Sequence, residues 1–181
     1  MRTLRVVAVL AILGGAVGWW VIDREPDWYT RVRYPLRYES LIRTHARNYD
    51  LDPALLAAVV YTESRFNPKA VSEAGAIGLM QLLPETARGI AVRTGGDAFV
   101  TDDLYDPEIN VRYGSWYLRN LVRKYGDVRI ALAAYHAGQG NVDSWRAAGK
   151  GIVFPETRTY VENVTRLRSV YARGYADELG L

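Results

Sequence analysis

The chain contains no cysteine. That excludes a disulfide framework, a thiolate metal site and a cysteine nucleophile. It also excludes a thioether-linked lipid anchor. Histidine occurs only at His45 and His136. Two are too few for a histidine-based metal site without carboxylate help, and no metal is expected. Charge of one sign is not in large excess: 23 lysines and arginines face 20 aspartates and glutamates, a net charge of +3. A surplus this small fits ordinary solubility, with a mild bias toward an anionic partner such as a wall polymer. No basic run forms a nucleic-acid patch, so nucleic acid is not an expected partner. Strand-like alternation of useful length is also missing, which argues against a sheet-based fold.

What is present is ample apolar material. Hydrophobic residues make up 49% of the 181 residues and charged residues 24%. One packed domain with short additions fits that length and composition. Arg2 and Arg5 precede an apolar run over 6–22, about 25 Å long as a helix. That is near the short limit for a bilayer. Trp19 and Trp20 stand where an outer interface would hold them. Residues 1–22 therefore read as a single-pass membrane anchor. A cleaved signal segment, with Gly15, Ala16 and Gly18 as weak cleavage residues, is the alternative. Either places the rest outside the cytoplasm. Residues 23–35, polar and containing Pro26 and Pro35, read as a tether. Residues 36–181 read as the folded domain.

Beyond the tether the pattern is helical, with about six to eight helices around one core. Leu41, Ile42, Ala46 and Tyr49 share a helical face. Asp52-Pro53 and Asp106-Pro107 are start signals, a capping carboxylate followed by proline in the first turn. Pro84 and Pro155 open further helices, and Gly95, Gly126 and Gly138 close them. Tyr113, Trp116, Leu121 and Tyr125 mark a long amphipathic helix, with Trp116 and Tyr117 expected in its core. The stretch 69–78 is a loop with a small hairpin.

Glu63 carries the chemical signal. The ten residues before it, Pro53 to Thr62, contain no charge. They predict a buried helix with a carboxyl at its end. Partial desolvation raises a carboxyl pKa, and a carboxylic acid kept protonated near neutral pH can protonate a glycosidic oxygen.

Four motifs surround it: Glu63-Ser64-Arg65-Phe66-Asn67-Pro68; Gly75-Ala76-Ile77-Gly78-Leu79-Met80-Gln81 with Pro84 and Thr86; Ala134-Tyr135-His136-Ala137-Gly138 with Gly140-Asn141-Val142; and Pro155-Glu156-Thr157 with Tyr160-Val161. In order and spacing, residues 36–172 resemble the soluble lytic transglycosylases, glycoside hydrolase family 23. The resemblance implies a mainly α, lysozyme-like helical domain. It implies Glu63 as the single acid/base, Ser72 at the substrate's N-acetyl region, Gln81 lining the cleft and Tyr135 near the cleavage point. It implies Glu156 and Tyr160 as residues that line or brace the cleft. The implied substrate is peptidoglycan, cut between N-acetylmuramic acid and N-acetylglucosamine to leave a 1,6-anhydro end. Envelope machinery is a candidate partner.

Most glycosidases pair two carboxylates. Here the implied route needs one, because the substrate's acetamido oxygen stabilises C1 and its C6 hydroxyl attacks. That intramolecular attack gains from proximity. Proton transfer of this kind needs no cofactor, and none is expected. Two departures stand out. His136 takes a position commonly Asn, adding a group that titrates near neutral pH to the substrate-binding set. Leu83 replaces a frequent methionine and keeps the wall apolar. A hydrolytic muramidase on the same fold and a non-catalytic wall-binding scaffold remain the alternatives.

Overall fold

A computed structural model describes residues 26–96 and 98–181. The expected anchor, 1–22, lies outside the described residues. Among the described residues no helix is long and apolar enough to cross a membrane. The chain divides into two compact units, Met1–Pro35 and Leu36–Leu181.

The described part of the first unit, 26–35, falls within the expected tether. It holds a short helix, α1 (Asp27–Arg33). The Pro26 carbonyl accepts N–H bonds from Tyr29 at 2.8 Å and Thr30 at 3.0 Å, which starts the turn. Arg31 and Arg33 fall in the last turn, where cations complement the helix dipole. Seven residues are too few to display a helical period in the sequence.

The described residues of the second unit are mainly helical. Its elements are α2 (Glu39–Asn48), α3 (Pro53–Ser64), α4 (Pro84–Thr94), a 3₁₀ turn (Thr101–Tyr105), α5 (Pro107–Tyr125), α6 (Val128–Ala137), α7 (Gln139–Ala147), α8 (Pro155–Gly174) and α9 (Ala176–Leu179). The two predicted caps are in place, and Asp127 adds a third. Asp52 Oδ1 accepts from the Ala54 N–H at 2.8 Å, Asp106 from Ile109 at 3.0 Å and Asp127 from Arg129 at 2.7 Å. Such caps satisfy backbone donors that a helix start leaves open, contributing about 1 kcal/mol each.

Helix α3 is the central element. Every residue from Ala54 to Val60 is buried, as expected of a helix apolar on all sides. It packs along α8, which turns Tyr160, Val161, Val164, Leu167 and Val170 inward, and α6 packs against both α5 and α8. Truncating Leu56, which is fully buried, to alanine is expected to cost about 2–5 kcal/mol.

The loop between α3 and α4 carries the small hairpin feature. Val71 pairs with Ile77, and Ile77 with Leu82, as isolated antiparallel bridges. A buried side chain from α5 holds this loop. Asn110 Oδ1 accepts from the Met80 N–H at 2.7 Å, and its amide donates to Ile77 O at 2.9 Å and Leu104 O at 2.8 Å. Gly78 has φ +83°, and a Cβ there would run into Asn110 and the Leu104 carbonyl. Only glycine accepts both constraints.

Candidate active site

Glu63 lies in the last turn of α3, and the helix ends one residue later, at Ser64. Arg65 and Phe66 both take left-handed backbone angles, φ 51° and 62°. Such angles cost about 1 kcal/mol or more in a non-glycine residue. They persist here because Phe66 is buried, edge-on to Tyr61 and Tyr171. Ser64 Oγ lies 2.8 Å from Leu79 O and 3.1 Å from Val60 O, linking the helix end to the loop. The backbone at Glu63 is therefore fixed by the helix on one side and by two packed residues on the other.

Packing of α3 on α8 brings Tyr160 to the carboxyl. The Tyr160 hydroxyl donates to Glu63 Oε1 at 2.6 Å. Burial raises the Glu63 pKa from 4.5 to about 7, and the bond from Tyr160 pulls it partly back. Burial wins because an ionised carboxyl loses more hydration than one phenol restores. Among the described residues no second carboxylate contributes to this shift. Tyr160 and Tyr135 are both raised well above 10, by burial first and then by the Glu63 charge. Both remain hydroxyl donors at neutral pH. Tyr135 donates to Met80 O at 2.7 Å, so it anchors the loop while sitting within the field of Glu63.

His136 rests against the Tyr160 ring, with centroids 4.5 Å apart. Its Nδ1 lies 3.0 Å from Oγ1 of Thr157, which is fully buried. Burial lowers the His136 pKa and the charge of Glu156 opposes this. Glu156 is exposed in the first turn of α8.

The predicted residues thus separate. Glu63, Tyr160, Tyr135 and His136 come together. Gln81 and Ser72 are engaged within the loop. Gln81, at φ 48°, donates to Ala70 O at 3.1 Å and Gly78 O at 3.0 Å. Ser72 Oγ accepts from the Ala76 N–H at 3.0 Å. Gln81 also borders a depression of about 230 Å³ with Leu83, Tyr135 and His136. Trp116 and Tyr117, expected in the core, pack against it from its edge. They are half-buried and line a second depression of about 500 Å³. Thr86 and Tyr117 belong to both, so one groove runs between them. The reason is geometric: these two residues occupy the flank of the α5 stripe, not its centre, which is held by Tyr113, Leu118 and Leu121.

Sequence reasoning missed Asn110, Ser64 and Thr157. Asn110 left a signal, a polar residue in register with the buried Val111 and Tyr113. Ser64 and Thr157 left none beyond motif membership. Among the described residues, no three histidines, aspartates or glutamates group as metal ligands do.

Comparison with known proteins bears on the family of the fold. The transglycosylase SLT domain family matches residues 40–151. The soluble lytic murein transglycosylase of Salmonella typhimurium is 36% identical over 151 residues, covering 77% of this chain and 23% of the relative. A transglycosylase of Enterobacteria phage PRD1 is 42% identical over 115 residues, 64% of this chain and 40% of the relative. The crystal structure of the 70-kDa soluble lytic transglycosylase of Escherichia coli superposes with a TM-score of 0.76 at 32% identity, over 83% of this chain and 26% of that one. The chain thus spans less than half the length of these relatives, and what it shares with them is the helical domain that holds Glu63. The chain belongs to the transglycosylase SLT domain family.

Proposed function

We propose that this chain is a peptidoglycan lytic transglycosylase that cuts the β-1,4 bond between N-acetylmuramic acid and N-acetylglucosamine. The carrying observation is the Glu63 carboxyl, raised to about 7 by burial and held by Tyr160 at 2.6 Å. A carboxyl with that pKa is present as acid and as base in comparable amounts near neutral pH, which suits a group that must act as both.

The steps balance on that one group. Protonated Glu63 gives its proton to the glycosidic oxygen as the C1–O bond breaks, and N-acetylglucosamine leaves with a free 4-hydroxyl. The acetamido oxygen of the muramyl sugar stabilises C1. Carboxylate Glu63 then takes the proton of the C6 hydroxyl as O6 closes on C1, which regenerates the acid. Tyr160 orients the carboxyl. Tyr135 and His136 border the reacting sugar. Gln81 and Ser72 shape the loop against the substrate, and Glu156 tunes His136 from the rim. The apolar run over 6–22 fits a membrane anchor that keeps this domain outside the cytoplasm near the wall.

Digestion of intact peptidoglycan by the purified chain tests this. Mass spectrometry should find anhydromuramyl ends, lighter by one water than hydrolysed ends. Glu63→Gln should lower the rate at least about a hundredfold. Reducing ends alone would identify a muramidase instead.

A further inference from the structure

The groove continues past Tyr117 into the cavity of about 500 Å³, which the proposed chemistry does not use. That volume falls in the range of small-molecule sites. Its walls are α4 and α5, closed by Gln139 at the start of α7. Trp116 supplies a half-buried indole on one wall. Arg93 supplies a cation on the other.

The state of Arg93 is informative. Its Nη1 donates to Gly89 O one turn back, at 2.6 Å. A Cβ on Gly89 would lie only 3.1 Å from that nitrogen. Arg93 is exposed, and the bare glycine leaves room for its guanidinium to fold back along α4 at the groove's rim. Among the described residues Arg93 has no carboxylate partner, and a guanidinium offers five N–H donors. The other cation near Gln139 is different. Lys124 is already committed to Asp143 at 2.6 Å and to Gln139 at 3.0 Å. Glu85, the groove's acidic residue, stands eight positions before Arg93, about 12 Å away along α4. The groove is thus acidic at one end and has open cationic donors at the other.

We infer that this cavity is a specificity subsite for an acidic sugar unit, with the ring against Trp116 and a carboxylate on Arg93. This rests on the glycan-cleaving assignment and adds a selection rule to it. Strands carrying carboxylates are held in preference to uncharged N-acetylglucosamine oligomers. The carboxylate has two sources in a wall strand: the lactyl group once the peptide is removed, or the peptide stem itself.

Binding measured by calorimetry on the 181-residue chain separates these cases. The Glu63→Gln chain and the Glu63→Gln/Arg93→Gln chain are each titrated with stem-bearing strands, amidase-stripped strands and chito-oligosaccharides. Arg93→Gln should weaken binding of the acidic strands about fivefold, the upper end for an exposed charge pair, and leave chito-oligosaccharide binding unchanged. Arg93→Lys should restore part of the loss. A loss confined to stem-bearing strands assigns the peptide carboxylates, and one confined to stripped strands assigns the lactyl group. Equal loss on all three ligands, or loss on none, overturns the inference. Because the readout is binding in an inactivated chain, absence of anhydro products from the unmutated chain would sink the parent assignment without deciding this one.

Discussion

The unusual pKa of Glu63 makes a stability prediction that is independent of any substrate. The folded carboxyl titrates at about 7, against 4.5 in ordinary surroundings. The native state therefore binds a proton that the unfolded chain releases between those two values. Linkage fixes the sign: where the native state holds more protons, stability falls as pH rises. The favourable contribution is complete below pH 4.5 and is lost as the pH passes through 7. At about 1.36 kcal/mol per pH unit, the rise amounts to about 3 kcal/mol.

Glu63→Gln removes the titration and keeps an oxygen for the Tyr160 hydroxyl. At pH 4.5 the variant and the parent should be nearly equal in stability. At pH 8.5 the variant should be more stable by about 3 kcal/mol, or about 6–12 °C in Tm for a domain of this size. Denaturant unfolding followed by circular dichroism at pH 4.5, 6.5 and 8.5 measures it. All other titrating groups are common to both proteins and cancel in the difference. A constant difference across that range refutes the claim that the carboxyl is held desolvated.

Further outcomes follow from the same contacts. With Glu63 as the required acid, kcat/KM should fall above pH 7. Tyr160→Phe removes the bond that lowers the Glu63 pKa, so the alkaline limb should move to higher pH; an unmoved limb rules out the contact. His136 has a lowered pKa and is neutral at pH 7.5, so His136→Asn should change the rate there by less than about threefold, a hydrogen-bonding group being retained. Below the usual imidazole range the unfolded chain takes up a proton that the folded state resists. The parent should then lose stability relative to His136→Asn as pH falls from 6.5 to 5, and parallel curves would contradict this. Asn110→Ala strips three hydrogen bonds from a fully buried site. It should cost about 2–4 kcal/mol in urea unfolding, with a loss of activity larger than the stability loss alone explains at 10 °C.

The helical frame was legible because its punctuation is local. Asp52-Pro53, Asp106-Pro107 and Gly126 state helix starts and stops through caps that involve neighbours in the chain. The uncharged run before Glu63 announced burial, and the carboxyl's raised pKa follows from it. The elements that escaped lack such marks. Helix α7 begins straight after Gly138, whose glycine reads as an ending, and carries Gly140 in its first turn. Its reason to exist is tertiary, since Trp145 packs edge-on against Phe154 at 4.8 Å. The groove residues were obscured for a related reason. Trp116 and Tyr117 fit an apolar stripe, and only the position of α4 opposite them leaves one flank uncovered.

A desolvated carboxyl costs stability, so the fold has to offset it without lending it charge. A cation beside Glu63 would lower its pKa and remove the acid at neutral pH. The contacts here avoid that. The groups that reach Glu63 are a phenol donor and buried apolar surface. Two of the cations on α8 are used elsewhere, Arg168 on the capping carboxylate Asp52 and Arg158 on the Ile152 and Val153 carbonyls. The rigidity that holds the half-buried carboxyl in place comes from uncharged ties instead: Ser64 to Leu79, Tyr135 to Met80, and Asn110 to the same loop. Three independent elements, α3, α5 and α6, thus converge on residues 77–80, and none brings a charge to the place where a proton must be given and taken back.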